Sequence, residues 1–434
     1  MLPFLAHAFH DVDAFAVPAP LAALCAAAVL MALAAAAHRW WTEPPLAMAL
    51  TTRSLPEWTR RPTRWAAAAG RVAGLAAFVA VLAAGVLGPA AGAAEVGLDA
   101  VDASGPQEGR PNLAPLAVLV LAWSGLLIGS ALAGNFWPAV SPFAALAALA
   151  AQGRSRASET HAGEWAAPLL LASFAWLQQA YHDPASPRAT VTFLLGYTVA
   201  TMAGVARWGR GWLAYGEGFA ALGRLVAAVA PLAHGADGRL SWRPPLSGLA
   251  GIQVSAAGTA VLLIALGAMV FDALVYAPLW TQLAGSRAGW ERTMVNTAGL
   301  VWVTATIAVV FVAGVRLSQR SAGRSATRSV AGYAAVLAPL VLGMAAAVEG
   351  AVAVFSGRLA LAMASDPLGR GWDLFGTADH TVSLGILTSP AAVYLQAAML
   401  MAAGVVAIVA AHDRALATAT TVLTVSALLL VLTA

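Results

Sequence analysis

Long apolar runs, separated by loops that carry arginine, constrain this 434-residue chain more than any other feature. About ten runs are long enough to cross a bilayer, because roughly 20 apolar residues in helical form span its hydrocarbon core. The pattern predicts an all-α, polytopic transmembrane helical bundle, one integral-membrane domain over residues 1–434. The charged fraction is only 10% and mean hydropathy is +0.77, whereas a soluble domain carries about 25% charged residues.

The expected spans are 14–37, 65–94, 113–132, 165–181, 190–206, 248–271, 293–315, 330–355, 391–411 and 415–432. Arginines follow the odd-numbered spans: Arg39, Arg53, Arg60, Arg61 and Arg64; Arg154 and Arg156; Arg207, Arg210, Arg224, Arg239 and Arg243; Arg316, Arg320, Arg324 and Arg328; and Arg414. The alternate loops are acidic or sparse, with Glu95, Asp99, Asp102 and Glu108, then Asp183, then Asp366, Asp373 and Asp379. Basic loops stay in the cytoplasm. Both termini are therefore expected in the periplasm, with the chain multi-pass in a bacterial inner membrane. Every basic residue is arginine, which with the abundant alanine reads as a GC-rich bacterial codon usage.

A pI near 9.7 reflects these flanking arginines; no basic, aromatic-rich soluble domain is present, so no nucleic-acid partner is expected. Cys25 is the only cysteine, which excludes an intrachain disulfide and a cysteine zinc site. No basic residue precedes the first apolar run, so residues 18–37 read as a retained helix and not a signal peptide.

Two segments are more than loops. Residues 207–247 contain an apolar stretch, 212–232, interrupted by Glu217 and Arg224. It suits an amphipathic helix at the cytoplasmic interface or a re-entrant piece packed against protein. Glu217 and Arg224 are seven residues apart, on one helix face, and invite a pairing. Residues 356–389 are expected to form a long periplasmic loop holding Trp372, Asp373, Asp379 and His380.

Polar groups gather toward one depth on the outer side: His7, His10, Asp11 and Asp13 before the first span, Gln178, Gln179, His182 and Asp183 at the end of the fourth, Asp272 at the end of the sixth, Asn296 in the seventh, Glu349 within the last two turns of the eighth, and Asp379, His380 and Gln396 around the ninth. Such groups are costly in a membrane and face a cavity or a partner. Glu349 has no charged neighbour in its own helix; it reads as a general base or metal ligand, or as half of an ion pair with Arg358. His7-x-x-His10-Asp11-x-Asp13 has the ligand types of zinc or another divalent ion, and His182-Asp183 and Asp379-His380 could complete such a site. His412-Asp413-Arg414 reads as an orienting turn. No Walker loop, H-E-x-x-H, G-x-S-x-G or C-x-x-C is present.

Several short motifs carry a resemblance: Gly134-Asn135-Phe136-Trp137-Pro138, Gly216-Glu217-Gly218-Phe219, Arg243-Pro244-Pro245-Leu246-Ser247-Gly248, Phe271-Asp272, and Ala411-His412-Asp413-Arg414-Ala415. Together they resemble the bacterial integral-membrane proteins described as fenitrothion hydrolase, over residues 113–416. The resemblance implies a membrane-bound hydrolase that cleaves the P–O–aryl bond of organophosphorus triesters. The chain departs from the family where a further Gly-His is expected before His412 and residues 401–405 read Met-Ala-Ala-Gly-Val; a missing catalytic histidine there could be supplied by a related membrane subunit. Within this reading Glu349, Asp272, His182 and Asp379 are the catalytic candidates. His7, His10, Asp11 and His380 are the candidate ligands of a zinc-like divalent ion, which would activate water. The partners are the bilayer, a small apolar substrate, and a second membrane subunit or another copy of the chain. Intramembrane Glu349 and Asn296 also suit a secondary transporter or permease for a small solute, and a scaffold subunit without a site is the third alternative.

Overall fold

A computed structural model describes residues 19–40, 53–56, 60–89, 112–150, 163–234, 240–321, 329–377, 390–411 and 414–433. Its main helices are α1 (Ala19–Trp40), α2 (Arg60–Leu87), α3 (Leu113–Ala133), α4 (Pro142–Ala150), α5 (Ala166–Gln179), α6 (Pro187–Trp208), α7 (Gly218–Val226), α8 (Ala256–Tyr276), α9 (Gly289–Ser321), α10 (Leu337–Ser365), α11 (Pro390–Ala411) and α12 (Arg414–Thr433). Among the described residues, eight helices are long and apolar enough to cross a membrane. The chain is a multi-pass helical membrane protein.

Those eight correspond to eight of the expected spans. The other two are shorter. α5 has 14 residues, about 21 Å at 1.5 Å per residue, short of the roughly 30 Å hydrocarbon core. The apolar part of α12, Leu416–Leu432, also falls below the length of the eight.

Other helices run past their expected ends. α9 has 33 residues, about 50 Å. α10 has 29 residues and is preceded by a 3₁₀ stretch, Val330–Val336. The expected loop 356–389 therefore starts ten residues late, after Ser365; Met363, expected in that loop, is buried in the helix. Glu349 consequently lies mid-helix instead of near an end. The sixth span starts later than expected, since Ser255 caps α8 by accepting from the Gly258 N–H.

The segment 207–247 packs inside the protein. α7 is buried on nearly every side, with Phe219, Ala221, Leu222, Leu225 and Val226 all in the core. Of the two expectations, the interfacial amphipathic helix is overturned. Glu217 and Arg224 do not pair. Glu217 caps α7, and its carboxylate accepts from the Phe219 N–H at 2.9 Å and the Ala220 N–H at 2.8 Å. It also accepts from the Trp137 indole at 3.0 Å and from the Tyr197 hydroxyl. Arg224 lies over the Tyr215 ring, 4.8 Å from its centroid.

Four donors on one 1% exposed carboxylate join the short helix Trp137–Val140, α6 and α7. Phe219 continues this knot, stacking on Trp137 at 5.7 Å and meeting Phe174 edge-on at 4.9 Å. The flanking glycines are required by close approach. A Cβ at Gly216 would lie 2.0 Å from the Trp212 ring, and one at Gly218 would sit 3.0 Å from the Leu171 nitrogen.

Arg243 closes the other end of the segment. Its guanidinium donates to the carbonyls of Ala230 at 2.9 Å and Ala227 at 2.5 Å, just beyond α7; the Ala227 carbonyl also accepts from the Ala230 N–H at 3.1 Å. A small antiparallel sheet follows, β1 (Arg53–Ser54), β3 (Leu240–Trp242) and β2 (Leu232–His234), in that spatial order, with Leu232 opposite Trp242.

Replacing Glu217 by alanine orphans four donors, each costing about 1–3 kcal/mol when buried. We expect E217A to lower the thermal unfolding midpoint of the detergent-solubilised protein by well over 5 °C, and G216A to do the same through the Trp212 clash. Wild-type midpoints for both would show that this knot does not hold the fold.

Candidate functional site

Five helix termini meet at one end of the bundle. α5 and α8 end there, α9 and α11 begin there, and α12 ends there. This arrangement follows from antiparallel neighbours: α8 packs against α5, α9 and α10, and α10 packs against α11. Between them lies a cavity of about 400 Å³, within the range of small-molecule sites.

The cavity has a mouth and a floor. His182 and Arg287 at the mouth are exposed, and Arg292 and Asp272 are half-buried. Gln178, Gln179, Asn296, Glu349 and Gln396 lie deeper and are all buried. Expected polar groups from α5, α8, α9, α10 and α11 thus do share one pocket. Tyr181, His182 and Trp290 form an aromatic rim, with ring centroids 4.5 Å apart for Tyr181 and His182 and 5.5 Å for His182 and Trp290.

Four of these deeper residues have identified hydrogen-bond partners. The Ser124 hydroxyl donates to Glu349 Oε2 at 2.6 Å. Gln178 Nε2 donates to the Leu119 carbonyl at 2.9 Å. Gln179 hydrogen-bonds Asp272, and the Trp280 indole donates to Asn296 Oδ1 at 3.1 Å. These bonds settle which way each amide points. Gln178 must aim its Oε1 away from Leu119, and that buried oxygen has no partner. Asn296 must offer its NH₂. The acidic groups of the cavity are the carboxyls of Asp272 and Glu349, which lie within Coulombic range of each other. Donors sit nearer the mouth, on Arg287 and Arg292.

α3 supplies the buttress. Its stretch Leu116–Ala122 is π-helical, a wider turn found often at functional sites. The Leu119 carbonyl that holds Gln178 belongs to it, and Ser124 follows directly. Neither residue lines the cavity, and both orient residues that do.

Of the expected site residues, Glu349, Asp272 and His182 line the cavity together. Asp183 is exposed and outside the lining. Asp379, His7, His10, Asp11, Asp13 and His380 lie outside the described residues, as do His412 and Asp413. Glu349 is not held by Arg358. Nine residues place Arg358 on the opposite helix face, where it is exposed. His182 takes Thr293 as its partner, through its backbone N–H and Nδ1, both 3.0 Å from Oγ1.

Arg287, Arg292, Tyr276 and Ser124 were missed from sequence. A signal existed for the arginines: both flank the seventh span on the side that the charge pattern makes periplasmic, against the trend that sets the topology. Ser124 carried none, because a serine in an apolar helix ordinarily bonds its own backbone.

Among the described residues no group of three His, Cys, Asp or Glu could hold a metal ion. The described cavity residues do not by themselves fit the expected divalent site, whose four proposed ligands are outside the described residues. Among the described residues, the motifs that carry the resemblance mostly build the fold: Trp137, Glu217 and Arg243 hold α6 and α7, and Asp272 lines the cavity. No family model, no curated protein and no solved structure matches this chain.

In a C25S background, which removes the exposed native cysteine, a cysteine at Asp272 should react with a small charged thiol reagent added from one side of the membrane. A cysteine at Leu222, 0% exposed, should not. Equal protection at both positions would mean that the cavity is closed to water.

Proposed function

We propose that this chain is a membrane-bound hydrolase of organophosphorus triesters that cleaves the P–O–aryl bond, as its resemblance implies. The observation that carries the reading is the polarity of the cavity. Carboxyls that can take a proton face its floor, and guanidinium groups that can hold a phosphoryl oxygen or sulfur stand at its mouth. An apolar aryl triester partitions into the bilayer and meets the aromatic rim at Tyr181, His182 and Trp290.

The reaction is an in-line displacement. A water oxygen bonds to phosphorus and gives a proton to a carboxylate, Glu349 or Asp272. The P–O(aryl) bond breaks, and its electron pair leaves on the aryl oxide. Arg292, Arg287 and the Asn296 NH₂ stabilise charge on the phosphoryl group. His182 at the rim can protonate a poor leaving group. Asp379 and the divalent ion at His7, His10, Asp11 and His380 belong to the same proposal; a bound metal would add Lewis-acid activation of water. In topology the proposal has about ten crossings, counting α5 and α12, with both termini and the mouth on the periplasmic side of a bacterial inner membrane. A related subunit or a second copy of the chain is the proposed partner.

Nitrophenol release from fenitrothion by the purified protein in nanodiscs tests this. We expect E349Q and D272N to lower kcat by about 10²–10⁴, the usual worth of a general base, and a chelator to abolish activity. Full activity in E349Q and H182A variants would remove the proposal.

One observation favours a permease as the second reading. A smaller void of about 50 Å³ lies on the same helices farther from the mouth, lined by Leu266, Ile307, Met344, Leu400 and Ala427. Read along each helix it falls one to three turns beyond the floor, so cavity and void share one axis through α8–α12. Uptake of an unmodified solute by proteoliposomes, without hydrolysis, would decide for this reading.

A further inference from the structure

An open groove runs down the outside of the bundle beside the cavity, lined by Trp176 of α5 and by Trp290, Met294, Thr297, Val301 and Trp302 of α9. From Trp290 to Trp302 it follows α9 for twelve residues, about 18 Å at 1.5 Å per residue. Trp290, Met294, Val301 and Trp302 are exposed, and on a membrane-spanning helix such a face meets acyl chains.

Cavity and groove lie on the two sides of one seam, where α5 meets α9. Gln179, His182, Arg292 and Asn296 line the cavity, while Trp176, Trp290, Thr293 and Thr297 line the groove. The Trp176 indole donates to Thr297 Oγ1 at 2.9 Å, and Thr293 Oγ1 lies 3.0 Å from both the backbone nitrogen and Nδ1 of His182. Trp290 belongs to the groove and also, 5.5 Å from the His182 ring, to the aromatic rim of the mouth. The groove therefore begins where the mouth ends.

We propose that this groove holds a long alkyl chain of the substrate while the phosphoryl group lies in the mouth beside Arg292. The inference rests on the hydrolase reading and narrows its substrate class to triesters that carry one long alkyl chain. The groove is narrow: Trp290, Met294, Thr297 and Val301 recur on one helix face, which suits a single chain. It runs along a membrane-spanning helix, the direction in which chains lie in a bilayer. Lipid tails are as apolar as the groove, so transfer from lipid gives no hydrophobic preference. The gain is positional. A chain seated against Trp176 and Trp302 tethers the phosphoryl group at the mouth and raises its effective concentration there. A dimethyl ester has no such tether. The chain stays on phosphorus when the aryl oxide leaves.

Two measurements on the full-length protein in nanodiscs test this. The first is kcat/KM for dimethyl and for dodecyl methyl para-nitrophenyl phosphate, in the wild type and in Ala298→Trp. Ala298 is an exposed groove residue outside the cavity lining, so an indole there fills the groove. Both proteins meet the same bilayer, and partitioning of the longer ester cancels between them. We expect the wild type to prefer the dodecyl ester by about tenfold through tethering, and A298W to lose that preference with its dimethyl rate unchanged. The second is photolabelling with a dimethyl alkyl phosphate that lacks an aryl leaving group and carries a diazirine at its chain end. Label that dodecyl dimethyl phosphate displaces should fall within residues 293–316, and A298W should lose it. Nitrophenol release with the same chain preference in both proteins, or displaceable label elsewhere in the chain, overturns the groove assignment alone. No nitrophenol from either ester in the wild type overturns the hydrolase reading and the substrate assignment with it. If A298W does not fold, Val301→Trp, about one turn deeper, carries both measurements with the same outcomes.

Discussion

A carboxylate inside a helical bundle must be given donors, or given space and a ligand, and both outcomes occur here. Glu217 has four donors and is sealed among aromatic rings. Glu349 accepts from the Ser124 hydroxyl, has the Trp123 indole nearby, and lines a 400 Å³ cavity. Burial is nearly the same, 1% against 7% exposed. Hydrogen-bond saturation separates them: a satisfied carboxylate is a structural pin, and an unsatisfied one is available for chemistry.

The two sites lie in different parts of the fold. The Glu217 knot joins the start of α7 to the short helix Trp137–Val140 and to α6, with the Trp137, Phe174 and Phe219 rings packed around it. The cavity lies among α5 and α8–α12. α3 links them, with Trp123 in the aromatic cluster and Ser124, the next residue, on Glu349. A shift in α3 would be felt at both.

This division explains why short motifs speak more about architecture than about chemistry. Gly-Glu-Gly-Phe and the Arg-Pro-Pro segment are distinctive because caps, close helix approaches and buried indole bonds tolerate few residue types. Cavity residues such as Gln178 and Asn296 sit singly in apolar helices, where no local pattern marks them.

Sequence alone determined that this chain is a set of long apolar helices, because hydrocarbon thickness sets a minimum run length that composition reveals directly. It also raised the expectation that Asp272, Asn296, Glu349 and Gln396 gather in one region; their common cavity is a tertiary finding, since Glu349 lies mid-helix and not near the end that the residue count gave. Tertiary structure decided the rest. It showed which polar groups face each other, that Glu217 is satisfied by Tyr197 and Trp137 instead of Arg224, that α7 is buried, and that Arg287 and Arg292 join the cavity. Those outcomes depend on helix rotation and on contacts between segments far apart in the chain. Glu349 and Ser124 are 225 residues apart, and no periodicity within either helix encodes their meeting.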